Sequence, residues 1–282
     1  MKNPYRTQNI AFFFLLLATL FIVVPVGLIV IIIIQKGLPG ITWQFLSDMP
    51  RQGMRAGGIF PAIIGTIYLV TGAIIFALPI GLLAAIYLSE YAKDNLLTRL
   101  IKLAIVNLAG VPSVVYGLFG LALFVGFFKF GVSIVSGSLT LGIMILPVII
   151  TTSREALESV PYSFREVSLS LGASKWQTIR HIVLPNAIPG ILTGTILGIG
   201  RAAGETAPIL FTVAAFYLPR LPNSIFDQAM ALPYHLYVIS TQVPNVDEKI
   251  RYGTALVLLA LVLFMNLIAI IIRYQFRKKK KW

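Results

Sequence analysis

Glu166-Val167-Ser168-Leu169-Ser170-Leu171-Gly172, followed after a further stretch by Ile182-Val183-Leu184-Pro185, forms a polar and amphipathic interruption between two long apolar runs. A membrane chain that works alone needs no structured segment at such a point. A chain moved by a soluble motor needs one, because force has to enter through a surface outside the lipid. The residues on either side of this stretch decide whether it is such a surface.

Hydrophobic residues make up 57% of the 282 positions and charged residues 12%, a balance far from that of a soluble domain. About 20 apolar residues cross roughly 30 Å of hydrocarbon. Six windows qualify: 10–34, 61–89, 100–128, 132–153, 187–218 and 254–272. They predict an all-α, multi-pass integral membrane protein of six transmembrane helices, with one transmembrane domain over 1–282 and a cytoplasmic loop at 154–186. Lys2 and Arg6 before the first run resemble the start of a signal peptide. That run is too long for a signal core and no small-x-small cleavage site follows it, so an uncleaved span is expected.

The distribution of Lys and Arg sets the expected orientation. With the N-terminus inside, the cytoplasmic segments carry 15 basic residues, among them Lys93, Arg99, Lys102, Arg154, Arg165, Lys175 and Arg273, against 7 outside. Both termini are therefore expected in the cytoplasm. The net charge of +13 includes the tail from Arg277 to Lys281, directly after the last span. A basic cluster there reads as an anchor on anionic lipid rather than a nucleic-acid surface.

Several chemistries find no support in the composition. There is no cysteine, and His181 and His235 are the only histidines, too few for a zinc site of the usual kind. No Gly-x-Ser-x-Gly turn presents a nucleophile. No Gly-x4-Gly-Lys-[Ser/Thr] stretch is present to cradle nucleotide phosphates, so any ATP hydrolysis has to come from a partner.

Within 154–186, Ser163-Phe164-Arg165-Glu166 has the spacing of a capping box, and Gly172 stands where a left-handed cap would end the helix it starts. Ser174-Lys175-Trp176-Gln177 repeats the capping pattern and predicts a second short helix that ends before Pro185. Phe164, Val167, Leu171, Trp176, Ile179 and Val183 supply apolar anchors at roughly helical spacing. Such a pair either lies on lipid head groups or docks to a protein.

Glu166, Gly172, Ile182 and Leu184-Pro185 fall at the intervals found in the cytoplasmic loop of ATP-binding-cassette importer permeases, which this segment resembles. Val167 and Ser168 stand where that family carries two alanines. The resemblance implies that Glu166, Gly172, Ser174, Trp176, Ile182 and Pro185 belong to a coupling helix seated on an ATPase subunit.

The fifth window carries Gly190, Gly194, Gly198, Arg201 and Glu205 on one helical face. Small residues there allow a close helix neighbour. Counted from Ile188, Arg201 is roughly 20 Å along the helix, where a charge costs about 2.5–3.5 kcal/mol and has to face protein or water. Arg201 and Glu205 either neutralise each other at a helix contact or line an anion pathway, where the guanidinium fork suits a tetrahedral oxyanion. Arg154, at the inner end of the fourth window, is either a snorkelling base or an exit site for anions.

Arg201-Ala202-Ala203-Gly204-Glu205-Thr206-Ala207-Pro208, the run at 171–179 and the late Leu232-Pro233-Tyr234-His235-Leu236-Tyr237 stretch are similar to the A-type permeases of bacterial phosphate-specific transport systems. That resemblance implies a type I importer fold in the bacterial cytoplasmic membrane. It implies four kinds of partner: a second, C-type permease, two ATP-binding subunits, an external phosphate-binding protein and membrane lipid. ATP would be used by the ATPase, with no cofactor bound to this chain. The argument from Arg201 alone leaves sulfate or molybdate as other cargoes, and a self-contained secondary transporter as another class.

Pro79 and Gly81 in the second window, and Gly110, Pro112, Gly117 and Gly120 in the third, are expected to bend their helices. The outer stretches 35–60 and 219–252 are long enough to be docking surfaces. No internal repeat is evident.

Overall fold

The computed structural model describes residues 4–278. Lys2 and Lys279 to Lys281 lie outside the described residues, as do the side chains of Arg6 and Arg277. Among the described residues, five helical stretches are long and apolar enough to cross a membrane, and a bent pair of helices makes a sixth crossing if it counts as one span.

Helix α1 (Pro4–Gly37) holds the first window and packs along α12 (Glu248–Lys278), which holds the last. Its apolar side chains are otherwise exposed over nearly their whole length, as suits a helix facing lipid. Helix α3 (Phe60–Ile86) continues through a π-helical turn, Tyr87–Tyr91. Helix α6 (Ile134–Glu158) carries the fourth window. Between α1 and α3 the outer segment forms a short helix α2 (Trp43–Ser47) and a two-stranded antiparallel hairpin of β1 (Pro50–Arg51) and β2 (Ala56–Gly57).

The third window is not one straight rod. Helix α4 (Leu96–Ala109) ends at Gly110, and α5 (Ser113–Gly120), extended by the π-helical stretch Leu121–Phe127, leaves at 102° to it. The cause is local. Pro112 has no amide hydrogen and forces Val111 away from the helical region, so two helices meet at a corner instead of one helix bending.

The fifth window also differs from expectation at both ends. Helix α8 (Lys175–Thr178) runs through a π-helical turn, Ile179–Val183, directly into α9 (Leu184–Gly204), so Pro185 does not end the short helix. Pro185 falls in the first turn of α9, immediately after the wide turn, where a missing amide and a bulky ring do least harm. The rod then stops at Glu205, whose backbone is extended (φ −76°, ψ 138°). Helix α10 (Ala207–Thr212) is only 6 residues long, and irregular chain follows until α11 (Leu232–Thr241).

Helices α3, α6 and α9 form the centre of the fold. A large apolar core contains Leu69, Leu141, Met144, Ile145, Ile149 and Ala203. A second, smaller core, at the end of the fold that carries α8, contains Ala85, Ile86, Leu157, Val160, Ile179 and Val183. This second core seats the segment that the sequence singled out. At the outer end, the Tyr217 hydroxyl donates to the Pro50 carbonyl at 3.1 Å and ties the two long outer segments together.

Candidate functional site

The inner segment folds as α7 (Tyr162–Ser170), a tight turn, and α8. The expected capping box at Ser163 does not form. Pro161 (φ −54°, ψ 136°) turns the chain into the helix two residues earlier and no side chain caps it. The second capping box forms as expected: Ser174 Oγ accepts from Gln177 N at 3.3 Å, and Gln177 Oε1 accepts from Ser174 N at 2.7 Å. Gly172 adopts φ +83°, and its amide and that of Ala173 donate to the Leu169 and Ser168 carbonyls. These bonds satisfy the open end of α7, and the left-handed turn costs glycine little.

Ser168 and Thr178 hydroxyls meet at 2.9 Å and join the two short helices. Ile179 and Val183 are buried in the small core and Phe164 packs against it, whereas Val167, Leu171 and Trp176 point outward. The Glu166 carboxylate is exposed and has no hydrogen bond or ion pair among the described residues. Ile182 is half-buried and Pro185 exposed. One face of the unit is thus fastened to the membrane helices, while the other presents three large apolar side chains, an unpartnered acid, Ser174 and the Gly172 turn.

One contact of this region, between Arg165 and Glu90, escaped the sequence reading. Arg165 donates from Nε and Nη2 to the two carboxylate oxygens of Glu90 at 3.1 and 2.6 Å. It also donates to the backbone carbonyls of Val160 (2.8 Å) and Leu157 (2.9 Å). The two side chains are 12% and 7% exposed, so the pair is largely buried, at the edge of a cavity of about 530 Å³. Breaking such a pair by removing one member costs about 3–5 kcal/mol. One signal was present in the sequence: an acid at the inner end of a span, on a side where the topology argument weighed bases alone.

Arg201 lies in the last turn of α9. Its Nε is 3.6 Å from Glu205 Oε1, an ion pair beyond hydrogen-bond distance, with the side chains 30% and 18% exposed. Among the described residues no acceptor hydrogen-bonds the Arg201 guanidinium. The contrast with Arg165 is chemical: one fork has its donors committed to four acceptors, and the other has them open beside a carboxylate. Gly190 and Gly194 on the same helix approach Ala156 and Thr152 of α6 so closely that a Cβ at either would overlap them.

The structure does not bring Arg154 to Arg201. The facing pairs set Arg154 level with about Leu192, and nine further residues put Arg201 roughly 14 Å away along the axis. Arg154 instead pairs with Glu158 at 3.6 Å and lines a small cavity of about 30 Å³ with Lys102 and Thr151.

Residues 77–282 match the family model described as the binding-protein-dependent transport system inner membrane component. Among curated relatives, the chain is 35% identical over 268 residues to the "Probable ABC transporter permease protein YqgI" of Bacillus subtilis (strain 168), covering 90% of each chain. It is 34% identical to the phosphate transport system permease protein PstA 1 of Mycobacterium tuberculosis (strain ATCC 25618 / H37Rv), over 100% of this chain and 90% of the relative. Among solved structures, a bacterial ABC transporter involved in the import of the acidic polysaccharide alginate superposes with a TM-score of 0.61 at 16% identity, covering 93% of this chain and 96% of that one. The last likeness speaks for the fold: an all-α, multi-pass permease of ABC importer architecture. On the family match and the length of these alignments, the chain is a homologue of the PstA permeases and belongs to the binding-protein-dependent transport system inner membrane components.

Proposed function

We propose that this chain is the transmembrane permease subunit of an ATP-driven importer of inorganic phosphate in the bacterial cytoplasmic membrane, and forms half of the translocation pathway. The observation that carries the reading is a single helical rod, Lys175–Gly204, with the outward-facing coupling surface at one end and Arg201 at the other. Its 30 residues span roughly 45 Å. A push on Trp176 or Ser174 at the inner surface is therefore delivered to Arg201 along one continuous helix, through a π-helical turn whose Ile179 and Val183 are held in the small core.

The chemistry at each end suits its part. Glu166, Gly172, Ser174 and Trp176 offer a shaped, partly apolar surface to a separate ATPase, with Ile182 and Pro185 in the helix that leaves it. At the far end the open guanidinium of Arg201 offers parallel donors to a tetrahedral oxyanion, and Glu205 keeps the charge compensated when no anion is there. Because the carboxylate competes for the same donors, it also limits how tightly an anion is held. Arg154, roughly 14 Å nearer the coupling unit than Arg201, provides a second cation for an anion leaving towards the cytoplasm. Phosphate as the cargo rests on likeness to the mycobacterial phosphate permease along the full chain. The partners on this reading are a C-type permease, two ATP-binding subunits, which alone hydrolyse ATP, and an external phosphate-binding protein. Both termini lie in the cytoplasm, which places the coupling unit on the ATPase side.

The test is uptake of labelled phosphate in cells that lack their own high-affinity system and express the partner subunits, with this chain intact, absent or carrying Arg201→Gln. Charge-assisted hydrogen bonds contribute about 1.5–3 kcal/mol, so subsaturating uptake should fall by about ten- to a hundredfold in the variant at unchanged complex recovery. Retained uptake reduces Arg201 to a packing charge. An assembled, ATP-hydrolysing complex that moves sulfate or molybdate but no phosphate overturns the cargo.

A further inference from the structure

The inner end of α3 carries an arrangement that neither the coupling surface nor the Arg201 site uses. The π-helical turn Tyr87–Tyr91, closed by the Ala92 amide on the Tyr87 carbonyl at 2.8 Å, turns Glu90 and Tyr91 towards the coupling unit. A π turn is less stable than the α-helix it interrupts and persists where its re-aimed side chains are held. Here both are held. Glu90 takes the bidentate fork of Arg165 from α7, and the Tyr91 ring lies under the Lys175 ammonium of α8 at 4.8 Å from its centroid. The remaining donors of Arg165 reach Leu157 and Val160, at the end of α6 and in the loop that follows it. One guanidinium therefore joins α3, α6 and α7, in a place where the chain between α6 and α7 is only a short turn.

Both side chains are largely buried and neither belongs to the exposed patch of Val167, Leu171 and Trp176; they line a cavity of about 530 Å³ with Tyr162, Leu169 and Lys175. Nor is packing alone an adequate account, since the small core beneath already seats Ile179 and Val183 with apolar contacts. A largely buried bidentate ion pair adds directional constraint: two parallel N–H···O bonds fix angle as well as distance. The Lys175–Gly204 rod carries displacement of the coupling unit into α9. Without the ion pair, α3 would be tied to the coupling unit by the Lys175–Tyr91 contact and by apolar packing, neither of which fixes an angle.

We propose that Glu90 and Arg165 are a positioning pair that makes α3 move with the coupling unit, so that ATP-driven displacement turns α3 and α9 together. The inference rests on the reading of the chain as an ATPase-driven permease. It assigns to the pair the efficiency of coupling, while ATP hydrolysis by the partner continues without it.

The experiment uses the assembled transporter with its partner permease, ATPase and binding protein, carrying Glu90→Gln, Arg165→Gln or both. Nitroxide labels at the exposed positions Leu83→Cys on α3 and Ser170→Cys on α7 report the distance between the two elements by pulsed electron resonance, with and without ATP. With the pair intact, a single narrow distance is expected in both conditions. In each variant the ATP-bound distribution should broaden. In liposomes, phosphate moved per ATP hydrolysed should fall about tenfold at unchanged complex recovery, and the double variant should lose no more than either single one, because the two side chains act as a unit. An unbroadened distance in the variants, an unchanged phosphate-to-ATP ratio, or losses that add in the double variant would overturn the proposal. So would failure of all three variants to assemble, which confines the pair to folding. A parent complex that moves no phosphate overturns the cargo instead, and the distance measurement still decides the pairing.

Discussion

At the scale of single residues, Gly172 shows how one backbone angle shapes a surface. At φ +83° a side chain is strained wherever it points, and no atom lies within 4 Å of where its Cβ would be. The penalty for substitution is therefore conformational, about 1–2 kcal/mol, and falls on the turn of the proposed coupling surface. Gly172→Val is expected to reduce co-purification of the partner ATPase, whereas Gly172→Asn, which tolerates the left-handed region, should recover most of it. Equal recovery of both would remove the turn from the docking surface. His235 is a second instance. It is 3% exposed on α11, with Nδ1 lacking a partner among the described residues, and burial pushes its pKa down to about 4. The folded protein keeps this imidazole neutral, while the unfolded chain protonates it near 6.5. Stability should thus be full above that value and decline as pH falls towards 4, by about 3 kcal/mol from this group. Thermal unfolding of the detergent-solubilised chain between pH 7.5 and 4.5 should lose part of that slope in His235→Leu. An identical slope in the variant would assign the acid sensitivity elsewhere.

At the scale of elements, α6 and α9 are held at a separation that only glycine permits. Gly194 faces Thr152, whose hydroxyl is fixed by a 2.7 Å bond to the Val148 carbonyl, so the threonine cannot turn aside without losing it. Gly194→Leu should force the helices apart and cost about 1–3 kcal/mol or more. A lower melting temperature, with Gly27→Ala as a control whose Cβ meets nothing within 4 Å, is the expected outcome. Melting at the parent temperature would mean that α9 is free to shift along α6. The same pair of elements explains why two boundary expectations failed. Pro185 looks like a stop when its own residues are considered, but the π-helical turn ahead of it and burial of Ile179 and Val183 make a continuous helix the better solution. Conversely, the apolar run after Gly204 looks helical, yet it breaks at Glu205 and supplies bonds to other segments. The Thr212 carbonyl accepts from the Ser133 amide, and Ala214 bridges Ala229. Propensity is a weak prior, and tertiary hydrogen bonds overrode it here.

At the scale of the whole molecule, the helices divide into a packed centre of α3, α6 and α9 and an outer pair, α1 and α12, exposed to the surroundings. The rod and the Glu90–Arg165 pair give that centre two connections to one unit, α7 with α8. The apolar windows, the left-handed turn at Gly172, the capping box at Ser174 and the i, i+4 pairing of Arg201 with Glu205 were all legible in the order of residues. Each depends on neighbours a few positions apart, so local sterics and the cost of bare polar groups in lipid suffice to specify them. Position along the chain could not reveal that Arg165 reaches Glu90, 75 residues away, or that Arg154 sits well below Arg201. It also could not show that α4 and α5 meet at a sharp corner. Those features arise from competition among distant partners for the same buried donors and the same packing space. Only the assembled fold, in which α3, α6 and α9 are already side by side, settles which partner is within reach.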